Sequence, residues 1–286
     1  MRRANSSVFT CFIASFFYKK IIVQDQFMVF FTFFSFMWLF LCGVWAFYQF
    51  VGDASLAWLG LTVNSLALPF WVAYRHFKAE KINADLRETP AFFLVLTGLL
   101  ITLLTDQEKG VPLYFSLYNL FIVLLYLFQF SRLRFPRDYK TMLEFPPATR
   151  GSSDESEEKA SLWVFLRSPW CAHSRAVVTC LEQNAGKFAE AGVRITLWLA
   201  KGNRISGNKP LAENIEIKTW AGGEVGVEMD GGQPLLARIS GQGSDALKPS
   251  YWLLDSCGRI LWRHLPANYR TPGDPLQALG FVGRAG

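Results

Sequence analysis

The sequence predicts a membrane α-helical bundle of four spans followed by an α/β domain, and three observations lead to it. Of the 286 residues 51% are apolar and 16% aromatic, a share too high for an ordinary soluble domain of this size. The excess lies before residue 130, in long runs free of charge. After residue 160 the pattern becomes short β-rich runs, one helical run and Gly- or Pro-marked turns, the signature of an α/β domain.

Residues 1–26 hold an apolar run, 8–18, between Arg2, Arg3 and Lys19, Lys20. A basic start and a short apolar core resemble a signal peptide. No small-x-small cleavage site precedes the long run at residue 27, however, and two lysines follow the core directly, so the segment reads as an interfacial helix. Residues 27–51 are 25 without a charge, and 55–74 and 111–130 are 20 each. About 20 apolar residues cross a bilayer, so these are spans. Residues 91–105 number only 15. They read as a further span because the short turn at 106–110 makes a helical hairpin with the last one, giving a four-span domain over 27–130.

Basic residues set the orientation. Arg2, Arg3, Lys19 and Lys20 precede the first span; Arg75, Lys78, Lys81 and Arg87 lie between the second and third; Arg132, Arg134, Arg137 and Lys140 follow the fourth. The two opposite loops hold only Lys109. An integral multi-pass protein with both termini in the cytoplasm is the expected arrangement. The formal charge of +6 is therefore mostly topological: residues 1–150 carry 14 basic against 9 acidic side chains. No nucleic-acid footprint is left in it. The spans contain no Asp, Glu, Lys, Arg or His, which argues against an ion path, a proton relay or a bis-histidine haem. Asn64 and Asn119 read as interhelical hydrogen-bonding residues, and Cys42, alone within a span, cannot form an internal disulfide relay. The bundle reads as an anchor or docking surface in contact with membrane lipid.

Residues 131–160 read as a linker, with Pro136, Pro146 and Pro147 and the small acidic run 151–158, a composition that cannot bury a core. The α/β domain, 161–286, opens with a strand at 161–166, a break at Arg167-Ser168-Pro169 and a helix from Trp170 to about residue 191. Gly192 sits where a C-cap belongs, and 193–199 alternates as a strand. Strand, helix and strand make a right-handed parallel crossover. Residues 201–214 and 221–245 are Gly-rich and poorly periodic and receive no assignment. Residues 248–255 and 259–264 around the Ser256-Cys257-Gly258 turn predict an antiparallel hairpin, and 274–279 a closing short helix. The domain carries its own strands, helix and turns and is expected to fold without the membrane half.

Chemistry concentrates at Trp170-Cys171-Ala172-His173-Ser174. A cysteine in the first turn after a strand meets unpaired backbone N–H groups and the positive end of the helix dipole, which favour thiolate over thiol. Strand, Trp-Cys-x-x-Ser and helix together resemble a thioredoxin-fold protein of the thioredoxin and peroxiredoxin-like superfamily. The run from Pro249 through Tyr251-Trp252-Leu253-Leu254-Asp255 and Gly258-Arg259-Ile260 to Trp262 is similar to that superfamily's strand pair, as is the C-terminal stretch holding Asn268-Tyr269-Arg270. The resemblance spans residues 160–280 and does not reach the membrane half. It implies a thioredoxin-like domain with Cys171 as the active thiol and Pro249 as a cis proline facing it.

Dithiol members of that superfamily resolve a mixed disulfide with a second cysteine, where this chain has Ser174. Cys180 lies nine residues along the helix, roughly 13 Å away at 1.5 Å per residue, beyond disulfide reach. Cys257 belongs to the hairpin turn, and Cys11 and Cys42 to the membrane half, so the cysteines read as free thiols of a cytoplasmic domain. Of the peroxiredoxin pattern Pro-x-x-x-Thr/Ser-x-x-Cys, Ser168 supplies the hydroxyl, but Val164 replaces the proline. Arg167 at the strand's end and His173 as an imidazolium are candidates to stabilise the thiolate, whereas His76 and His264 read as structural. The candidate site is Cys171 with Ser174, His173, Arg167, Trp170 and Pro249. One Cys and one His are too few ligands for a metal, and no cofactor is implied. Two function classes stay open. One is a monothiol thiol-disulfide oxidoreductase or peroxidase resolved by an external thiol such as glutathione or by a partner protein's cysteine. The other is a non-catalytic interaction subunit of a membrane complex.

Overall fold

The computed structural model describes residues 5–77, 88–135, 142–144, 159–205, 211–220, 227–229 and 232–282, with side chains from residue 27 onward except 235 and 236. The acidic run 151–158 and the basic residues Arg2, Arg3, Lys78, Lys81, Arg87, Arg137 and Lys140 lie outside them, as do the side chains of Cys11, Lys19 and Lys20. Four apolar helices form the N-terminal half: α1 (Asn5–Asp53), α2 (Leu56–Phe77), α3 (Thr89–Thr105) and α4 (Val111–Leu125), the last continuing as a π-helical turn, Tyr126–Phe130. α1 is one helix through residue 26, so no helix break separates the expected interfacial segment from the first span. The described part of α1 from residue 27, α2 and α4 with its π-helical turn are long and apolar enough to cross a membrane; α3, with 17 residues, is a shorter apolar helix.

α3 is held against α2 by glycines. A Cβ at Gly98 would stand 2.4 Å from the Asn64 nitrogen and 2.6 Å from the Gly60 carbonyl oxygen, and one at Gly60 would meet Thr102. Such small-residue contact is how helices associate where lipid removes the hydrophobic incentive. The two asparagines do bond between helices. Asn64 Nδ2 donates to the Val95 carbonyl at 2.9 Å, Asn119 Nδ2 donates to Ser65 Oγ at 2.8 Å, and Trp38 Nε1 donates to Asn119 Oδ1 at 2.9 Å. Asp106 closes the α3–α4 turn by accepting from the Gly110 and Leu113 backbone N–H groups.

The C-terminal half is a mixed five-stranded sheet, ordered β3-β2-β1-β6-β7, flanked by helices. Central β1 (Ala160–Phe165) runs parallel to β2 (Val193–Leu199), and β2 parallel to β3 (Ile215–Thr219). β6 (Ser250–Asp255) is antiparallel to β1 and to β7 (Ile260–His264). α5 (Ala172–Gln183) and α6 (Ala185–Glu190) form the crossover from β1 to β2. β4 (Glu228–Met229) and α7 (Leu235–Ile239) fall in the stretch 221–245 that receives no assignment from sequence, and β5 (Ala246–Leu247), the antiparallel partner of β4, follows directly after it. The chain closes with a 3₁₀ turn, Pro275–Ala278, and α8, Leu279–Val282. Alternation along β1 serves both faces. Leu162 and Val164 pack with Val177, Leu181 and Phe188, while Trp163 and Phe165 join Trp198, Trp220 and Trp252 on the other side.

The sheet domain docks on one end of the bundle, which corrects the expectation that all of 131–160 is solvated. Part of 131–160 is bonded to the domain rather than solvated: the Leu133 amide donates to the Ala267 carbonyl at 2.9 Å, Tyr269 to Ser131 at 3.2 Å, and Ile260 to Leu143 at 2.9 Å. Nor is the domain's core wholly its own, because Met229, Ala246 and Tyr269 belong to the apolar cluster of Val95, Val123, Tyr126 and Leu127. Short strand pairs are marginal by themselves, and Met229 of β4 and Ala246 of β5 share this cluster with the bundle's end.

Candidate functional site

Cys171 stands where the predicted strand turns into the predicted helix. β1 ends at Phe165, and the Leu166 amide still donates to the Trp198 carbonyl at 3.0 Å. The chain then reverses. The Cys171 amide donates to the Ser168 carbonyl at 3.1 Å, and the Trp170 amide to Ser168 Oγ at 3.1 Å. Ser174 Oγ accepts from the Ser168 amide at 3.5 Å, so both hydroxyls in the motif brace the turn. Cys171 is the N-cap of α5, with extended backbone (φ −75°, ψ 123°), and its side chain makes no capping bond. The thiol is buried.

The space beside it is a cavity of about 470 Å³ between the bundle and the sheet domain. Val29, Phe33 and Phe36 of α1 and Val72 and Ala73 of α2 form an apolar wall. Arg75, Glu88, Tyr126, Arg167, Trp170, Cys171, His173 and Tyr269 also line it.

Charge collects at this boundary. Glu88, the N-cap of α3, sits where the helix dipole favours an anion. It forms ion pairs with Arg75, at 3.6 Å, and with Arg270. Arg270 also donates to the Leu127 carbonyl at 2.8 Å; burial first, and then the Arg75 charge, lower its pKa to about 10. Arg167 is buried rather than a solvated strand-end arginine. Its guanidinium lies 3.9 Å over the Tyr269 ring, a cation–π contact, and donates to the Gly232 carbonyl at 3.2 Å.

His173 departs from its expected role as an imidazolium. Arg75 Nη2 lies 3.0 Å from His173 Nδ1. A guanidinium has no acceptor, so Nδ1 accepts and the ring is neutral with its proton on Nε2. Burial, followed by the charges of Arg75 and Arg167, pushes the His173 pKa well below the ordinary histidine value. Positive charge near the cysteine therefore comes from the guanidiniums. Pro249 is a second correction. Among the described residues no peptide bond is cis, so Pro249 is not the cis proline that the resemblance implies; the Lys248 amide before it donates to the Val227 carbonyl at 2.7 Å. Ser250 pairs with Phe165, so Pro249 does lie at the Cys171 end of the sheet.

Trp170 is half-exposed and stacks on His76 with ring centroids 6.1 Å apart, and Arg175 Nη1 donates to the His76 carbonyl at 3.2 Å. Cys257 is exposed in the hairpin turn. Burial, with the Asp274 charge second, raises the Cys180 pKa, which makes it a poor nucleophile at neutral pH. Glu88, Tyr126, Tyr269 and Arg270 carry no sequence signal of a shared site, and Arg75 reads in the sequence only as a topological charge. Glu88 next to the Thr-Pro start of α3 is the one hint in the sequence, as an acid at a helix N-terminus. Comparison with protein-family models, with curated proteins and with solved structures finds no match to this chain.

Proposed function

We propose that the chain is a membrane-anchored monothiol redox protein of the thioredoxin and peroxiredoxin-like kind, with Cys171 as its nucleophile and its α/β domain in the cytoplasm. The observation that carries this reading is Cys171 at the N-terminus of α5, with its residue on the wall of a cavity that Arg75 and Arg167 also line. Strand–turn–helix around the thiol, the antiparallel β6–β7 pair and Pro249 at the same sheet end support it. As thiolate, Cys171 attacks a disulfide sulfur: a new S–S bond forms, the old one breaks, and the leaving thiolate takes up a proton. With a peroxide, the O–O bond breaks, Cys171 becomes a sulfenic acid and the peroxide leaves as an alcohol or water. In either case an external thiol resolves Cys171 by disulfide formation, and a second equivalent regenerates the free thiol.

The test traps the full chain, solubilised in detergent, and identifies by mass spectrometry what is disulfide-linked to Cys171. A thiol or partner cysteine linked at Cys171, lost in Cys171→Ala, is the expected result. Site-resolved alkylation should find Cys171 faster than Cys180. A second reading, a non-catalytic subunit of a membrane complex, is favoured by the burial of the thiol. It becomes the better one if Cys171 neither alkylates nor forms any mixed disulfide in the folded protein.

A further inference from the structure

We infer that the cavity at the bundle–domain boundary is a binding site for a single-chain anionic amphiphile, of which a fatty carboxylate is the simplest, with its carboxylate on Arg167 and its chain along α1 and α2. The proposal does not depend on any reaction of Cys171.

Two observations define the ligand. The first is the wall. Val29, Phe33 and Phe36 from α1 and Val72 and Ala73 from α2 are apolar, and Thr32 beside them donates its hydroxyl to the Met28 carbonyl at 2.8 Å. These residues belong to helices apolar enough to cross a membrane, and the volume of about 470 Å³ lies in the range of small-molecule sites. An alkyl chain suits that surface, and it stands at the membrane end of the domain, where such chains are abundant.

The second is Arg167. The residue is only 7% exposed, and its Nε is buried with no hydrogen-bond partner among the described residues. Its other partners are uncharged, the Gly232 carbonyl and the Tyr269 ring. The described carboxylate on the cavity wall, Glu88, is engaged by Arg75 and Arg270. His173, held as an acceptor by Arg75, supplies no anion. A buried guanidinium without a counter-charge is costly, and a carboxylate matches its fork of donors. A free inorganic anion would satisfy Arg167 and leave the apolar wall bare. A neutral alcohol of the same chain length would cover the wall and leave the guanidinium unmatched. One molecule bearing both parts meets both needs.

The experiment uses the full chain in phosphatidylcholine nanodiscs, with oleate, oleyl alcohol and inorganic phosphate as probes and empty nanodiscs as the blank. Native mass spectrometry counts what is bound. Oleate should saturate at one per chain. Oleyl alcohol should bind about tenfold more weakly or worse, the difference one charge-assisted hydrogen bond makes. Phosphate should displace nothing. Arg167→Gln should erase the preference for oleate over the alcohol, and Ala73→Trp should exclude both. If Arg167→Gln does not fold, the wild-type preference still decides. Trapping at Cys171 is scored on the same wild-type preparations, so failure of lipid binding and failure of thiol chemistry are read separately. Equal binding of oleate and oleyl alcohol, uptake no greater than in empty discs, or displacement by phosphate each overturns the proposal.

Discussion

Replacing Glu88 with Gln removes a carboxylate held between two guanidiniums. The Glu88 side chain is 2% exposed, and its partners Arg75 and Arg270 are 2% and 11% exposed, so solvent can replace little of what is lost. Breaking a buried pair by removing one partner costs about 3–5 kcal/mol, because a buried charge is left uncompensated. The lower end, roughly 3 kcal/mol, fits here, since the Gln amide still accepts one hydrogen bond and Arg75 keeps its contact with His173. Arg270 bears most of the loss, because Arg75 sits at 3.6 Å, long for an ion pair. Glu88 starts a bundle helix and Arg270 lies in the sheet domain, so the loss should appear as undocking as well as instability. The assay is thermal unfolding of the full chain in detergent, with limited proteolysis of the C-terminal domain alongside. Glu88→Gln should melt earlier and be cut faster, and Glu88→Gln with Arg270→Gln should cost less than the sum of the two single changes. A wild-type melting curve for Glu88→Gln, or strict additivity in the pair, would refute the electrostatic account of docking.

Gly98→Ala drives a methyl group to 2.4 Å from the Asn64 nitrogen. It should destabilise the α2–α3 pair by about 1–3 kcal/mol, seen as a lower melting point than for Gly52→Ala, where a Cβ meets nothing within 4 Å. Because the folded-state pKa of His173 is lowered, the unfolded chain binds the extra proton. The stability involved is therefore present above the unfolded value of about 6.5 and is lost as pH falls below it. His173→Asn, which keeps an acceptor for Arg75, should flatten the fall in melting temperature between pH 7 and pH 5; an unchanged slope would assign that fall to other groups. A reporter active only in the cytoplasm should work when fused at Gly286, and activity of an exported-only reporter there would reverse the proposed orientation.

Features set by local period and composition are legible in the amino-acid order alone. The charge-free runs announce apolar helices, because a bilayer demands about 20 such residues in series. The β-branched and aromatic alternation at 193–199 and the Gly258 turn announce β2 and the β6–β7 hairpin. Arg167-Ser168-Pro169 ends one strand just before Cys171 starts a helix. β3 carries a similar alternating signal in Ile215-Glu216-Ile217-Lys218-Thr219, masked by the Gly-rich stretches on either side. Whatever depends on distant residues meeting belongs to the packed molecule. Pairing of Ser131–Leu133 with the domain joins positions more than 130 residues apart, and no local pattern encodes it. His173 has the chemistry of a cation when read with its sequence neighbours and that of an acceptor once Arg75, 98 residues away, donates to it. The charge of a side chain and the need of a buried guanidinium for an anion are set by dielectric and neighbours, and these exist only after the chain has packed.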